Sequence, residues 1–326
     1  MQFASFAGST EQVSRIGFGA MGLGGTLGTF NEQDLIRSLV HSLDKGVTFI
    51  DTARAYGDSE RLVGKALKEW KGEKPFLASK IASKYPGGVG WGTAVPVEIA
   101  FPKGWLREST ETSLRELGVD TIDLMQLHQY WPQWSKQDYW MEELHRLKEE
   151  GKIRYIGVSL PDQRHDIALP LVQSGTVDAI QTVFNIFDPL PLDCLIPFCQ
   201  DNQVAFIARC VMDEGGLSGF LTEETQFEEG DYRKSFFDYV PRSMYIERVN
   251  RLRKFVPQYA DSLAELAIKY VLKHPGVTTA LVSMHVPQYA DQNIAALDKE
   301  PLPDDVFEEL FRHHRWVRNF YDTKFW

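Results

Sequence analysis

Short apolar runs alternate with longer segments of helical periodicity along most of the chain. Each apolar run is only a few residues long and is mostly Val, Ile, Leu and Phe, which is typical of strands buried on both faces of a sheet. The sequence therefore predicts eight strands, at residues 16–19, 48–51, 76–80, 122–128, 155–159, 179–184, 205–209 and 279–283.

The intervening segments carry the periodicity and the stop signals of helices. Leu35, Leu39 and Leu43 recur at every fourth position, and Gly46 follows them as a stop. Strands that alternate with helices indicate parallel βαβ units, and a count of eight predicts a single-domain (β/α)₈ barrel over residues 1–326. Helices are predicted at residues 35–43, 59–70, 108–117, 140–150, 162–174 and 263–272.

A doubly wound open sheet is the alternative fold. Residues 17–22 match the G-x-G-x-x-G pattern of a dinucleotide-binding turn, which on its own is a weak signal. That fold also needs an acidic residue at the end of a second strand about 20 residues later. Asp51 lies 29 residues beyond Gly22, so the spacing favours the barrel.

The composition restricts the functional classes. The chain is 43% hydrophobic and 25% charged, as in an ordinary globular protein, and its formal net charge is −10. Nucleic acids and anionic membranes attract basic surfaces, so we expect neither as a partner. The sequence has no apolar run of about 20 residues and no apolar leader, and its three cysteines have no paired spacing. We therefore expect a cytoplasmic protein with free thiols.

Polar residues stand at or near the ends of seven predicted strands. In a parallel barrel the carboxyl ends of the strands meet at one rim, where active sites are built. An unpaired buried charge is costly, so we expect these side chains to pair with one another. The set is Asp51, Lys80, His128, Ser159, Gln181 with Asn185, Arg209 and Ser283.

Tyr56 follows Asp51 by five residues, so the intervening turn can return its phenol to the rim beside Lys80 and His128. A free Tyr has a pKa of about 10 and donates protons slowly at neutral pH. A neighbouring ammonium lowers that pKa, and a carboxylate beyond it holds the Lys in place. The four residues therefore predict a general acid over a carbonyl group. No Ser or Cys stands beside a base, which argues against a nucleophile.

Several strings in the chain resemble the aldo-keto reductase superfamily, in order and at family-like spacing over about residues 16–296. They are residues 16–19, 46–57, Lys80, 124–128, 156–159, 181–185 and 215–219. The resemblance, to a bacterial-type branch, implies a (β/α)₈ barrel that reduces an aldehyde or ketone with NAD(P)H, reversibly. Position by position, it implies a catalytic tetrad of Asp51, Tyr56, Lys80 and His128. It also implies that Ser159, Gln181 and Asn185 surround the nicotinamide carboxamide.

Two departures from the family pattern concern the cofactor. Arg209 stands where relatives often have an aromatic residue stacked on the nicotinamide, although a planar guanidinium can also stack. After the eighth strand, His285 is the only possible cation near the adenosine phosphate, and Arg233 and Lys234 are further candidates from a loop. We therefore predict NADP, with NAD as a serious alternative. The remaining predicted cofactor contacts are Ser283, Tyr289, Gln292 and Asn293.

Long loops follow the third, fourth and seventh predicted strands, at residues 81–102, 129–139 and 211–242. Loops at this end of a barrel set specificity. We predict that Tyr130, Trp131 and Trp134 contact the substrate, with Trp91 as a further candidate. We also predict that the aromatic C-terminal tail packs on the barrel exterior, with closure over the pocket as the alternative. Aromatic loops with few convergent charges suit a small carbonyl or alcohol, such as an aldose, a related sugar or an aromatic aldehyde.

Two other functional classes stay open. A cofactor-binding regulatory subunit, as in potassium-channel β-subunits, has the same fold and an intact tetrad. A metal-dependent barrel hydrolase needs a His-x-His after the first strand and further ligands at other strand ends. None of His41, His145, His165 or His274 is at such an end, so we predict no metal site.

Overall fold

A closed barrel of eight parallel strands forms the centre of the computed structural model, which describes residues 1–84, 94–136 and 138–318. A small antiparallel sheet of β1 (Phe3–Ser5) and β2 (Gln12–Ser14) precedes it. The barrel strands are β3 (Ile16–Gly19), β4 (Phe49–Asp51), β5 (Phe76–Ile81), β6 (Ile122–Leu127), β7 (Ile153–Ser159), β8 (Ala179–Val183), β9 (Ala205–Arg209) and β10 (Val277–Ser283). They pair in sequence order, and β10 closes on β3. The predicted (β/α)₈ barrel is confirmed.

Helices connect the barrel strands and continue after the last one. They are α1 (Glu32–Asp44), α2 (Ser59–Glu69), α3 (Val97–Ala100), α4 (Trp105–Leu117), α5 (Tyr139–Glu149), α6 (Leu169–Gln173), α7 (Leu195–Asp201), α8 (Arg233–Phe237), α9 (Arg242–Leu252), α10 (Val256–Tyr259), α11 (Leu263–Lys273), α12 (Pro287–Ala295) and α13 (Asp304–His313). The side chain of Asn31 caps α1 by accepting from the Gln33 amide at 2.9 Å. Gly118 ends α4 with a φ of +67°, a conformation that glycine adopts without strain.

The predicted helix at residues 162–174 is shorter in the structure. A 3₁₀ turn (His165–Ala168) takes its first half, and α6 begins after it. Pro170 lies in the first turn of α6, where its missing N–H leaves no hydrogen bond unmade.

All three cysteines are free thiols, as predicted. No helix among the described residues is long and apolar enough to cross a membrane.

The amino-terminal end of the barrel is closed by apolar side chains. Phe6, beyond β1, is fully buried, and its ring centroid lies 4.6 Å from that of Phe76 and 6.3 Å from that of Phe49. Val13 of β2 is buried in the same cluster. The polar side chains at the strand ends therefore lie at the other end of the barrel.

Candidate active site

The structure brings the four predicted tetrad residues together at the carboxyl end of the barrel. Asp51 ends β4, Lys80 lies near the end of β5, and His128 directly follows β6. The Nζ of Lys80 contacts Asp51 Oδ1 in an ion pair and donates to the Thr52 carbonyl at 2.9 Å. It lies 3.5 Å from the hydroxyl of Tyr56. The side chains of Lys80 and Asp51 are 1% and 4% exposed, so this pair is shielded from water.

The turn that carries Tyr56 is packed tightly against the segment after β3. A Cβ atom on Gly24 would lie 2.0 Å from the carbonyl oxygen of Tyr56, so only glycine fits there. The phenol ring is half-buried and meets the ring of His128 edge to face, with centroids 5.4 Å apart. The Tyr56 hydroxyl is therefore held among Lys80 and His128.

Burial dominates the electrostatics of the tetrad. It raises the pKa of Tyr56 above its usual value, and the charges of Lys80 and Arg209 oppose this only in part. The Lys80 ammonium lowers the pKa of the phenol, as predicted, but the loss of solvation raises it by more, so the predicted net lowering does not occur. Burial is the largest single effect on Lys80 and lowers its pKa, but the charges and hydrogen bonds of Asp51 and Tyr56 together outweigh it and the net pKa is raised. The pKa of His128 falls well below 6.5, chiefly through burial, so the imidazole is neutral at neutral pH.

Two glutamines hold the far side of Asp51, and one of them, Gln126, is not among the residues predicted for the site. The Nε2 of Gln181 donates to Asp51 Oδ2 at 2.9 Å and to the Gln126 Oε1 at 3.2 Å. Gln126 also lies 3.3 Å from Asp51 Oδ2. Gln126 is a fully buried amide in the otherwise mostly apolar strand β6, a signal that could have identified it. The amide nitrogen of Gln181, predicted as a nicotinamide contact, is engaged with Asp51 beneath the tetrad.

The side chain of Ser159 indicates whether a nicotinamide fits at this end of the barrel. It ends β7, is 1% exposed, and its hydroxyl has no hydrogen-bond partner among the described residues. Buried hydroxyls are almost always bonded, so an orphan at a barrel rim indicates a ligand group. The carboxamide of a nicotinamide has the required donor and acceptor, and the residues present therefore fit the cofactor.

Arg209 and Asn185 lie at the same end of the barrel as Ser159, and both are hydrogen-bonded to neighbouring groups of the protein. The Nη2 of Arg209 donates to Asp162 Oδ1 at 2.5 Å and to the Leu160 carbonyl at 3.0 Å, which fixes its guanidinium plane. The Oδ1 of Asn185 accepts from the amides of Phe187 and Asp188, both at 2.8 Å. Asn185 therefore holds the turn after β8.

The predicted adenosine contacts form a second group beside α12. The ring of His285 packs between those of Phe30 and Tyr289, and its Nδ1 lies 2.7 Å from the hydroxyl of Ser283. Burial lowers the pKa of His285 to about 4, so the ring is uncharged at neutral pH. Asn293 donates to the Ser283 carbonyl at 3.3 Å. Two further members of this group, Tyr289 and Gln292, are exposed.

Arg233 reaches this second group from the loop after β9, but its charge is already paired. Its Nε donates to Asp231 Oδ1 at 2.9 Å, and its Nη2 donates to the Leu27 carbonyl at 3.0 Å. Burial is the larger cause of the lowered pKa of His285, and the nearby charge of Arg233 lowers that pKa further. The site predicted for a phosphate thus holds an uncharged imidazole and a neutralised guanidinium, and the third predicted cation, Lys234, is exposed in α8.

The aromatic cluster after His128 turns inward. Tyr130 and Trp134 are each 2% exposed, and Trp134 donates from Nε1 to the Val95 carbonyl at 2.7 Å. The predicted substrate contact is wrong for these two residues, because neighbouring elements bury them. Trp134 packs against Val95 and Phe101 from the segment after β5, and Tyr130 packs against Trp134 and Trp140. Trp131 is 7% exposed and lies beneath the guanidinium of Arg164. Trp91 lies outside the described residues.

The C-terminal tail also departs from its prediction. The Trp316 amide donates to the Phe187 carbonyl at 2.7 Å, and Arg318 pairs with Asp213 at 2.5 Å. Asp213 follows β9, so the tail up to Arg318 lies over the carboxyl end of the barrel. The expected exterior packing is therefore wrong for this part, and residues 319–326 lie outside the described residues.

No group of three or more His, Cys, Asp or Glu in the described part of the chain is arranged to hold a metal ion. The geometry is instead that of a buried Lys–Asp pair beneath a Tyr and a neutral His. Such a set can donate a proton to an oxygen whose carbon receives a hydride.

Comparison with known proteins agrees with this chemistry. Residues 15–315 match the model of the aldo/keto reductase family. The aldo-keto reductase YhdN of Bacillus subtilis (strain 168) is 33% identical over 296 residues, which cover 88% of this chain and 86% of that protein. An NADH-specific methylglyoxal reductase of Escherichia coli (strain K12) is 27% identical, with 89% of this chain and 92% of that protein covered.

Solved structures show the same fold over nearly the whole chain. Aldo-keto reductase AKR11C1 from Bacillus halodurans, in its holo form, superposes with a TM-score of 0.76 at 28% identity, covering 97% of this chain and 99% of that one. The glycerol dehydrogenase AKR11B4 from Gluconobacter oxydans also gives 0.76, at 26% identity, covering 96% and 95%. The chain therefore belongs to the aldo/keto reductase family and is an NAD(P)H-dependent oxidoreductase.

Proposed function

We propose that this protein reduces a small aldehyde or ketone to the alcohol, and oxidises the alcohol in reverse, with Tyr56 as the proton donor. One observation carries the proposal. The ammonium of Lys80 contacts buried Asp51 on one side and faces the Tyr56 hydroxyl on the other, with the neutral ring of His128 against the phenol. This arrangement gives a carbonyl oxygen two hydrogen-bond donors in a shielded site.

The roles of the side chains follow from their positions. A bound reduced nicotinamide supplies the hydride that the carbonyl carbon accepts. His128 donates a hydrogen bond to the carbonyl oxygen and orients it. Tyr56 delivers its proton to that oxygen as negative charge develops there, and Lys80 stabilises the phenolate that remains. Asp51, held by the two glutamines, keeps Lys80 charged and in place.

Two sets of residues would hold the dinucleotide. Ser159 and Arg209 lie at the nicotinamide end, and the adenosine end is formed by Arg233, Ser283, His285, Tyr289, Gln292 and Asn293. Because His285 is uncharged and Arg233 is paired, the adenosine end attracts a phosphate only weakly. We expect NADP(H) to bind with a modest preference that NAD(H) rivals. The name of the NADH-specific relative supports NAD(H) as a competent cofactor.

Two observations support the substrate class. One is the names of relatives, and the other is that the loops predicted at the barrel rim are aromatic and have few convergent charges. Relatives named for methylglyoxal and glycerol act on small oxygenated compounds. An aldose or a related sugar is consistent with them. The cytoplasmic location stays a prediction, and so does the lack of a nucleic-acid or membrane partner.

The test is a panel of aldehydes, ketones and sugars, scored by the absorbance of NADPH and of NADH. We expect turnover of at least one small aldehyde with either cofactor. The alcohol products with the oxidised cofactors test the reverse direction. Tight dinucleotide binding with no turnover across the panel would overturn the proposal and favour a regulatory subunit on the same fold.

A further inference from the structure

A narrow pocket lies beside Arg209 at the carboxyl end of the barrel, between the turn after β8, the loop after β9 and the C-terminal tail. Its walls include Phe187 and Asp188 from the turn, Glu214 from the loop, and Trp316 and Arg318 from the tail. None of these five residues has a part in the tetrad described above. The pocket therefore needs an explanation of its own.

Asp188 is the unusual group in this wall. It is 8% exposed, and its Oδ1 has no hydrogen-bond partner among the described residues. Its backbone is fixed, because the Asp188 amide donates to the Asn185 side chain and the Asn185 amide donates to the Asp188 carbonyl at 3.2 Å. The amide of Leu190 also bonds to the carboxyl group, whereas Oδ1 itself is shielded from solvent. A buried acceptor left unpartnered destabilises a fold, so its presence indicates a ligand that completes it.

The surrounding charges indicate what kind of ligand fits. Asp162 and Asp213 face Asp188 and repel an anionic ligand. The two arginines beside them are paired with these carboxylates, Arg209 with Asp162 and Arg318 with Asp213, so neither attracts an anion strongly. Burial, aided by the two aspartates, raises the pKa of Asp188 to about 7. Burial also raises the pKa of Glu214, in the same wall, to about 7, so the pocket carries little net charge near neutral pH and suits a neutral hydrogen-bond donor.

The apolar part of the wall narrows the choice further. Phe187 and Trp316 pack edge to face, with ring centroids 5.7 Å apart, and both line the pocket. Ring faces accept C–H groups, while the carboxyl group of Asp188 accepts O–H. A carbon chain that bears hydroxyl groups offers both surfaces together.

We propose that Asp188 anchors a hydroxyl subsite, in which its Oδ1 accepts a hydrogen bond from a hydroxyl group on the carbon chain of a ligand bound at the barrel rim. The hydroxyl group comes from a polyhydroxylated substrate or from the ribose of the dinucleotide. This inference rests on the proposed function, since it extends the same site towards the tail. The experiment below separates the two sources.

The test compares Asp188→Ala with Asp193→Ala, a matched control at an exposed aspartate in the same segment. KM and kcat are measured for glyceraldehyde and for propanal, which share three carbons and differ in their hydroxyl groups. The dissociation constants of NADH and NADPH are titrated for each variant. For a readout without turnover, calorimetry compares glycerol with 1-propanol on the protein saturated with NAD⁺.

If the hydroxyl group belongs to the substrate, Asp188→Ala should raise the KM for glyceraldehyde by about tenfold relative to propanal. It should also weaken the binding of glycerol by about tenfold relative to 1-propanol. A ribose hydroxyl group predicts instead a weakening of about tenfold for both dinucleotides. Asp188→Asn, which retains an acceptor oxygen, should recover most of either loss. The control should match the wild type.

The inference is overturned if Asp188→Ala folds, changes glyceraldehyde and propanal equally, and leaves both dinucleotide dissociation constants and the glycerol affinity unchanged. Failure of the proposed function shows itself differently, as no turnover of any carbonyl by the wild type. In that case the calorimetry and the dinucleotide titrations still decide whether the subsite exists.

Discussion

Two buried aspartates each hold a cation in this protein, with opposite consequences. At the barrel mouth, Asp51 pairs with Lys80 and leaves its ammonium facing the Tyr56 hydroxyl. Beside α12, Asp231 contacts Arg233 through both carboxylate oxygens, from Nε and Nη2. The first pair positions a charge for use, whereas the second neutralises a charge that a phosphate would need. An ion pair therefore indicates a functional cation only when another group of the site contacts the same cation.

The largest expected effect comes from breaking the first pair. Lys80→Met leaves Asp51 charged and buried without its partner, which we expect to cost about 3–5 kcal/mol of unfolding free energy. Turnover should also fall by roughly 10² or more, because the phenolate loses its neighbouring charge. Denaturant unfolding and steady-state kinetics measure the two effects.

A second substitution separates stability from catalysis in that variant. Adding Asp51→Asn removes the uncompensated charge, so the double variant should recover stability without recovering turnover. If Lys80→Met alone unfolds no more easily than the wild type, Asp51 is not held as a charge by Lys80.

Removing the proton donor tests the same region without disturbing its ion pair. Tyr56→Phe should lower kcat by roughly 10² or more while the dissociation constants of NADH and NADPH stay near those of the wild type. Tyr155→Phe is a suitable control, since that phenol lies at the opposite end of the barrel, near Phe6. Near-normal turnover by Tyr56→Phe would remove Tyr56 from its proposed role.

Asp188 is a third buried aspartate, and unlike Asp51 and Asp231 it forms no salt bridge among the described residues. Its pKa of about 7, raised by burial, means that folding favours the protonated form. Its contribution to stability is present at pH 4 and is lost as pH rises towards 7. Asp188→Asn should therefore increase the unfolding free energy at pH 8, on the order of 2 kcal/mol, and by much less at pH 4. Equal gains at both pH values would contradict a raised pKa.

The smallest expected effect comes from breaking the second pair. Asp231→Asn frees the charge of Arg233, so the affinity for NADPH should rise relative to NADH by up to about tenfold. The Arg233→Ala, Lys234→Ala double variant should remove whatever preference for NADPH the wild type has. Titration of both dinucleotides measures each change, and an unchanged ratio in both variants would place the phosphate elsewhere.

The barrel and the tetrad could be predicted because parallel strands bring distant residues to one rim. Asp51, Lys80 and His128 are far apart in the chain, but each stands at or directly after the end of an apolar run. Once eight such runs are recognised, their carboxyl ends must converge. The roles of Gln126 and Asp188 could not be predicted in the same way, because a lone polar residue in a strand or a turn does not reveal its partners.

The order of strands and helices, the rim at which the polar residues meet and the resemblance that names the chemistry can all be read from the residue pattern. Which charges stay available to a ligand depends on the folded chain. The folded chain pairs Arg233 with Asp231, buries Tyr130 and Trp134 among neighbouring elements, and places Trp316 and Arg318 over the barrel mouth. The physical reason is that periodicity reports which face of an element is buried, whereas pairing and desolvation depend on neighbours that only the folded chain supplies.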